Sequence, residues 1–335
     1  MIIKNISLTN FRNHTSYHLE CQKDTTLILG KNGCGKTSVL EAIYILLRGK
    51  SFRSVDSEII KRDTDFYRIE IEYDNGEKNV VTYDGKDKTF FILDKKFRRL
   101  PTKYKYPIVL FLPSDLNLIS GSPSRHREYF DHFFSQISEE YNNAISKYNK
   151  ALHQRNELLK DETISSSSLF SWNLLLAKYG TTIFNLRQNF IANINKTLNT
   201  TYYSIAKNND EVALVYKTEI TNANVDSFLA TLEQNFKKDL YLGHTTFGVH
   251  RDDFEFFFNG CPADGSASRG ETRSIILALK FVEADFIYSR LRQKPIVLLD
   301  DVFSELDDAR RKCLVNNFKD HQVIITSVEN LHLND

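Results

Sequence analysis

The sequence predicts an α/β fold: a mixed sheet with an antiparallel β subdomain, interrupted by a helical insertion. Three observations carry this. Near the N-terminus an apolar segment runs into a glycine-rich turn and then a helix-like stretch. Between residues 68 and 93 short β-like segments alternate with Asn-Gly and Asp-Gly turns. From residue 123 to residue 203 the pattern becomes long and amphipathic, and past residue 240 it returns to α/β.

Taken in order, residues 2–8 read as a strand, and residues 25–29 as a second one ending on Gly30. A helix follows at once, because Val39, Leu40, Ile43, Leu46 and Leu47 recur at three- and four-residue spacing. Residues 68–73, 79–83 and 89–93 read as strands joined by Asp74-Asn75-Gly76 and Asp84-Gly85, which tolerate the positive φ of tight hairpins. Residues 123–160 read as one long helix, with Phe130, Phe133, Phe134, Ile137, Tyr141, Ile145, Tyr148 and Leu152 on one stripe. A serine-rich turn at 164–168 leads to a second helix over 170–203, so the two should pair as a helical hairpin of about 55 Å. Further on, residues 271–290 read as a helix, and residues 296–299 and 323–326 as buried strands. The expected organisation is a head formed by residues 1–115 and 239–335, with a helical arm or lid domain over 116–238.

The composition is that of a globular protein. Of 335 residues, 41% are hydrophobic and 26% charged, and 44 Lys+Arg against 43 Asp+Glu leave a formal charge of +1. At ~150 residues per domain the length allows about two domains, each able to bury a core. No apolar run approaches the ~20 residues that span a bilayer, and Met1-Ile2-Ile3-Lys4-Asn5 does not read as a targeting segment, so a cytoplasmic protein with no membrane partner is expected. The four cysteines, Cys21, Cys34, Cys261 and Cys313, lack metal-ligand spacing and suit a reducing compartment. Residues 86–105 hold eight cations against two acids, with aromatic residues between them. That composition suits phosphate contact and equally suits the solvent face of a β-meander.

Gly30-Lys31-Asn32-Gly33-Cys34-Gly35-Lys36-Thr37 satisfies the P-loop pattern G-x-x-x-x-G-K-[ST] and sits between a strand and a helix. The glycines let backbone N–H groups curl round phosphates, and the helix offers its positive N-terminus. Lys36 is expected to reach the β- and γ-phosphates of ATP, and the Thr37 hydroxyl to ligate Mg²⁺. A metal-holding partner is needed, and the strand 296–299 ends in Asp300-Asp301. Asp300 is expected to anchor Mg²⁺ and Asp301 to polarise the attacking water. Ser268-Arg269-Gly270-Glu271, at a helix start, reads either as an anion site needing a phosphate from elsewhere or as a capping serine. Ser304-Glu305-Leu306-Asp307 follows the acidic pair and is weak alone.

In this order and spacing the motifs resemble the ATP-binding-cassette (ABC-type) ATPase head. With Leu8-Thr9-Asn10-Phe11-Arg12-Asn13, Gly49-Lys50-Ser51-Phe52-Arg53, the segment 109–116, Gly121-Ser122-Pro123 with Arg127 and Asp131, and the segment 248–253, nearly the whole chain resembles the RecF family of SMC/Rad50-like ATPases. The resemblance implies an ATP-dependent DNA-binding protein of recombinational repair whose weak, DNA-stimulated ATPase acts as a switch. It implies an ATP-dependent homodimer in which Ser268 and Gly270 of one copy close on the γ-phosphate bound by the other. Arg12 and Asp307 join the nucleotide-binding set, although Arg12 also reads as a plain surface arginine. Implied partners are duplex and gapped DNA bound without sequence preference, RecR and RecO, and functionally RecA. The stretch 250–253 reads either as a salt-bridged turn between strands or, on the resemblance, as a structural or interface element near the ATP site.

The chain departs from the family pattern at several points. The usual S-x-G-Q signature has Glu271 in its last place, Pro-Glu-Asp becomes Pro113-Ser114-Asp115, and Gly-Pro-His becomes Gly248-Val249-His250. An arginine pair becomes His126-Arg127, and Ser327 stands where transporter cassettes carry a switch histidine. The alternative readings are a transporter nucleotide-binding subunit and the head of a defence ATPase. The Asn-Phe-Arg string and the missing switch histidine weigh against the first. The second expects an appended acidic nuclease domain.

Overall fold

The computed structural model describes residues 1–221 and 224–328. Its strands are β1 (Ile3–Phe11), β2 (His14–Glu20), β3 (Thr25–Leu29), β4 (Tyr67–Tyr73), β5 (Lys78–Tyr83), β6 (Lys88–Ile92), β7 (Lys95–Phe97), β8 (Ile108–Phe111), β9 (Val212–Lys217), β10 (Asp253–Phe258), β11 (Cys261–Pro262), β12 (Ile296–Asp300) and β13 (Val323–Ser327). Its helices are α1 (Lys36–Arg48), α2 (Pro123–Ile137), α3 (Glu139–Leu158), α4 (Phe170–Ala206), α5 (Val225–Gln234), α6 (Phe236–Leu242), the single turn α7 (Ala263–Ser266), α8 (Arg269–Leu291) and α9 (Asp308–Phe318). The described residues form two compact units, one from Met1–Asp115 with residues 287–328, the other Leu116–Phe286.

The first unit contains two sheets. One is antiparallel, in the order β2-β1-β4-β5-β6-β7, and the other parallel, in the order β3-β13-β12-β8. In β4 the buried Tyr67, Ile69, Ile71 and Tyr73 alternate with Arg68, Glu70 and Glu72, as a sheet with one wet face requires. By contrast β12 and β13 are buried at every residue, because parallel strands are covered on both faces. Helix α1 packs against β1, β4 and β5 of one sheet and β12 and β13 of the other. That is why Val39–Leu47 is buried without interruption and its apolar period is broadened. Gly76 and Gly85 take φ +81° and +87° in the two hairpin turns. Strand β2 has no counterpart in the sequence reading, because its seven residues include only Tyr17 and Leu19 as large apolar groups.

In the second unit, α3 and α4 pack as a helical pair, and β10 pairs antiparallel with β9 and β11. The single helix expected over 123–160 is two helices. Ser138 sits between them at φ −144°, ψ 114°, and its hydroxyl accepts a bond from the Tyr141 N–H (3.1 Å), opening α3 as an N-cap. The stripe of apolar residues continues across the break, so periodicity alone hides it. Residues 239–286, expected with the head, pack in this unit. Their strand β10 finds its partner in β9, a strand supplied by the insertion. Among the described residues no helix is long and apolar enough to cross a membrane.

Candidate functional site

The first unit brings together the P-loop, the acidic pair and Arg12 around a cleft of about 790 Å³, lined among others by Arg12, Asn13, Lys36, Thr37, Arg53 and Asp301. The loop leaves β3 at Gly30, whose N–H donates to the Ser327 carbonyl at the end of β13 (3.2 Å). Gly33 and Gly35 have φ +83° and +99°. At Gly35 any Cβ would also run into the side chains of Asn13 and His14, so the close approach requires glycine there twice over. Those side chains steady the loop, Asn13 Nδ2 donating to the Gly33 carbonyl (3.2 Å) and His14 Nε2 lying 3.2 Å from the Gly35 carbonyl. Lys31, Asn32 and Cys34 are exposed along the loop.

The Lys36 ammonium folds back over the loop. It donates to the carbonyls of Gly30 (2.8 Å) and Lys31 (3.3 Å) and lies 3.7 Å from Asp301 Oδ2. The Thr37 hydroxyl lies 2.9 Å from each oxygen of Asp300. Thr326, directly across from Asp300 in the register, fixes both acids. Its hydroxyl donates to Asp300 Oδ1 (2.8 Å) and accepts from the Asp301 N–H (3.0 Å), which holds Asp301 at a left-handed φ of +49°. Sequence reasoning does not find Thr326; the available signal is its place at the end of the strand beside the acidic pair. Thr37 and Asp300 supply hard oxygen donors of the kind Mg²⁺ takes alongside phosphate and water. Among the described residues no cluster of three His, Cys, Asp or Glu groups could hold a metal by itself.

Arg12 is held by Glu41, a second residue absent from the sequence reading. Arg12 donates to Glu41 through Nε (2.9 Å) and Nη2 (2.6 Å), to Ser54 Oγ (2.6 Å) and to the Glu58 carbonyl (2.9 Å). Arg53 donates to the same carboxylate through Nε (3.0 Å) and Nη2 (2.8 Å), and Ser51 adds a bond of 2.6 Å. The Glu41 side chain is 0% exposed, whereas Arg12 and Arg53 are 21% and 36% exposed. Burial pushes the Glu41 pKa up, and the bonds from Arg12, Arg53 and Ser51 outweigh it, so the carboxyl titrates below its ordinary value. Asp307 stands apart from this network as the N-cap of α9, accepting from the Arg310 N–H (2.9 Å).

Ser268 and Gly270 belong to the second unit, at the start of α8. The Ser268 N–H donates to Glu271 Oε2 (2.6 Å) and the Glu271 N–H lies 3.4 Å from Ser268 Oγ, a capping box. The segment 248–253 is a salt-bridged turn. Buried Arg187 reaches Asp131 (2.7 Å), Asp252 (3.2 Å) and the Val249 carbonyl (2.8 Å). His250 Nε2 bonds the Thr245 carbonyl (3.0 Å) as donor, so Nδ1 accepts from the Tyr148 hydroxyl (2.7 Å). Burial lowers the His250 pKa to about 4, assisted by the charges of Arg251 and Arg127. In the basic segment, Phe90 and Ile92 are core residues, and Lys88 pairs with Asp56 (2.6 Å).

Residues 2–335 match the family model described as the RecF/RecN/SMC N terminal domain. The DNA replication and repair protein RecF of Clostridioides difficile (strain 630) is 34% identical over 346 residues, covering 99% of this chain and 93% of that one. RecF of Acholeplasma laidlawii (strain PG-8A) is 36% identical over 337 residues, covering 97% and 93%. A solved structure described as the recombination mediator protein RecF-ATP in the RecFOR pathway superposes with a TM-score of 0.88 at 29% identity, covering 99% of this chain and 93% of that chain.

Proposed function

The chain belongs to the RecF family, and on that premise we propose that it is an ATP-switched DNA-binding protein of recombinational repair and replication restart. In this reading two copies close on two nucleotides in the cytoplasm. The closed dimer holds gapped duplex or single-strand/double-strand junctions without reading base sequence, and works with RecR and RecO to load RecA. Slow hydrolysis, stimulated by DNA, opens it. The observation that carries the reading is the meeting of Thr37 with both oxygens of Asp300 (2.9 Å) while Lys36 lies 3.7 Å from Asp301.

Each group then has a chemical task. Lys36 exchanges its bonds to the Gly30 and Lys31 carbonyls for the β- and γ-phosphate oxygens of ATP. The backbone N–H groups of the glycine-rich loop and of the first turn of α1 meet the remaining phosphate charge. Thr37 and Asp300 would hold Mg²⁺, which would neutralise phosphate charge when bound. Asp301, its peptide fixed by Thr326, orients and polarises the attacking water. Arg12 and Arg53 add positive charge at the mouth of the cleft, and Asp307, Ser268 and Gly270 serve closure on a second copy.

The test is a titration of fluorescent gapped duplex with the protein in ATP, in ADP, and with Lys36→Met, read by anisotropy at moderate salt. Tight binding that needs both ATP and Lys36 is expected. Binding that ignores nucleotide, or no binding at all, would remove the DNA switch from this reading.

A further inference from the structure

We propose that the β6–β7 end of the antiparallel sheet, with the segment that follows it, is the surface that takes the phosphates of duplex DNA. The inference rests on the DNA-binding reading above and adds where on the chain the duplex lies. β7 is an edge strand, and its Lys95 and Lys96 are exposed. Lys86, in the turn before β6, and Arg98, Arg99 and Lys103, after β7, are exposed as well.

Charge pairing separates this end of the sheet from the rest. Over β1, β4 and β5 the cations are matched: Lys4 with Glu72 (3.9 Å), Arg68 with Glu70 (2.6 Å), and Lys78 with Glu70 (3.2 Å) and Glu72 (3.6 Å). Lys88, at the start of β6, is matched by Asp56. None of Lys86, Lys95, Lys96, Arg98, Arg99 and Lys103 forms an ion pair among the described residues, and the acids within the segment are Asp87 and Asp94, both exposed. Six cations without an ion pair within residues 86–103, two of them on the edge strand, set up the field that a phosphate backbone answers by releasing counterions.

Two lysines on β7 would suffice to stop the edge pairing with another chain. Arg98, Arg99 and Lys103 lie past the strand, where that task does not need them. Lys96 stands directly opposite Phe91, which is 39% exposed, so the outer face also offers an aromatic ring beside the cations. Exposed Lys and Arg side chains on a strand and its following loop suit contact with the phosphate backbone, without preference for base sequence.

The experiment uses the full chain with ATP and a fluorescent gapped duplex over a salt series. The fourfold variant Lys95→Gln, Lys96→Gln, Arg98→Gln, Arg99→Gln is compared with wild type and with the control Lys4→Gln, Lys78→Gln on the paired side of the same sheet. Arg98→Gln, Arg99→Gln alone serves as a milder version outside the strand. Binding of a fluorescent ATP analogue reports that each variant is folded. The expected result is a loss of more than about tenfold in duplex affinity and a drop in the salt slope of about 0.9 for each phosphate contact removed. The control keeps wild-type affinity and slope. A fourfold variant that binds like wild type, or a control that loses as much, overturns the assignment of this surface and leaves the DNA-binding reading standing. Absence of duplex binding by the wild type itself overturns both.

Discussion

Glu41 shows how much of the site depends on one buried carboxylate. It lies between Leu40 and Ala42 in a helix that is buried on all sides, and it is tolerated there because two guanidinium groups and a serine hydroxyl meet it. Removing one partner of a buried pair costs about 3–5 kcal/mol, and the partial exposure of Arg12 and Arg53 lets water recover part of that. Glu41→Ala should therefore lower stability by about 2–3 kcal/mol in urea unfolding and weaken ATP binding, because Arg12 and Arg53 lose their anchor. A depressed carboxyl pKa contributes stability that is present above the unfolded value of about 4.3 and is lost as pH falls through the folded value. Glu41→Gln should accordingly flatten the acid limb of the wild-type stability profile; an unchanged limb would show that the two arginines do not hold this group ionised. None of this is legible in the sequence. The partners stand 29 and 12 residues away, and only the fold brings Arg12 and Arg53 to the same carboxylate.

At the scale of elements, legibility follows the range of the forces involved. The strand, P-loop and helix around Gly30–Thr37 and the hairpins at Gly76 and Gly85 are local, since each is set by residues adjacent in sequence. The break at Ser138 and strand β2 are not legible in the sequence, because a capping hydroxyl and a mostly polar strand leave no periodic trace. The stretch 250–253 supports two readings from sequence alone, and the ion pair that holds it comes from Arg187, more than sixty residues earlier. That turn carries its own pH signature. His250 is bonded as a neutral ring and takes a proton only near pH 4, whereas in the unfolded chain it does so near 6.5. As pH falls between these values the unfolded state binds more protons, so stability declines by up to about 3 kcal/mol across the window. His250→Gln should remove that part of the slope, measured as the difference between wild-type and variant unfolding free energies from pH 7 to pH 4. Identical slopes would place the acid sensitivity elsewhere.

At the scale of the whole molecule the question is how one copy meets another. The α8 signature has a built-in conflict: the helix start that would receive a γ-phosphate from a second copy carries Glu271, whose carboxylate is tied to the Ser268 N–H in a capping box. The box supports the helix, yet a full negative charge at its N-terminus opposes an incoming anion. Glutamine at this place keeps the capping bond and drops the charge. With 0.3–1 kcal/mol for a charge at a helix end, counted twice in a symmetric dimer, Glu271→Gln should tighten ATP-dependent dimerisation by about 3- to 30-fold. Ser268→Arg should do the reverse, leaving nucleotide binding intact while a bulky cation fills the closing surface. Sedimentation with a slowly hydrolysed ATP analogue reads both variants, with fluorescent-ATP titration as the check on the P-loop. If Ser268→Arg still dimerises with ATP, closure does not run through α8. If Glu271→Gln leaves the dimer constant unchanged, the carboxylate turns away on closure and its charge is electrostatically silent.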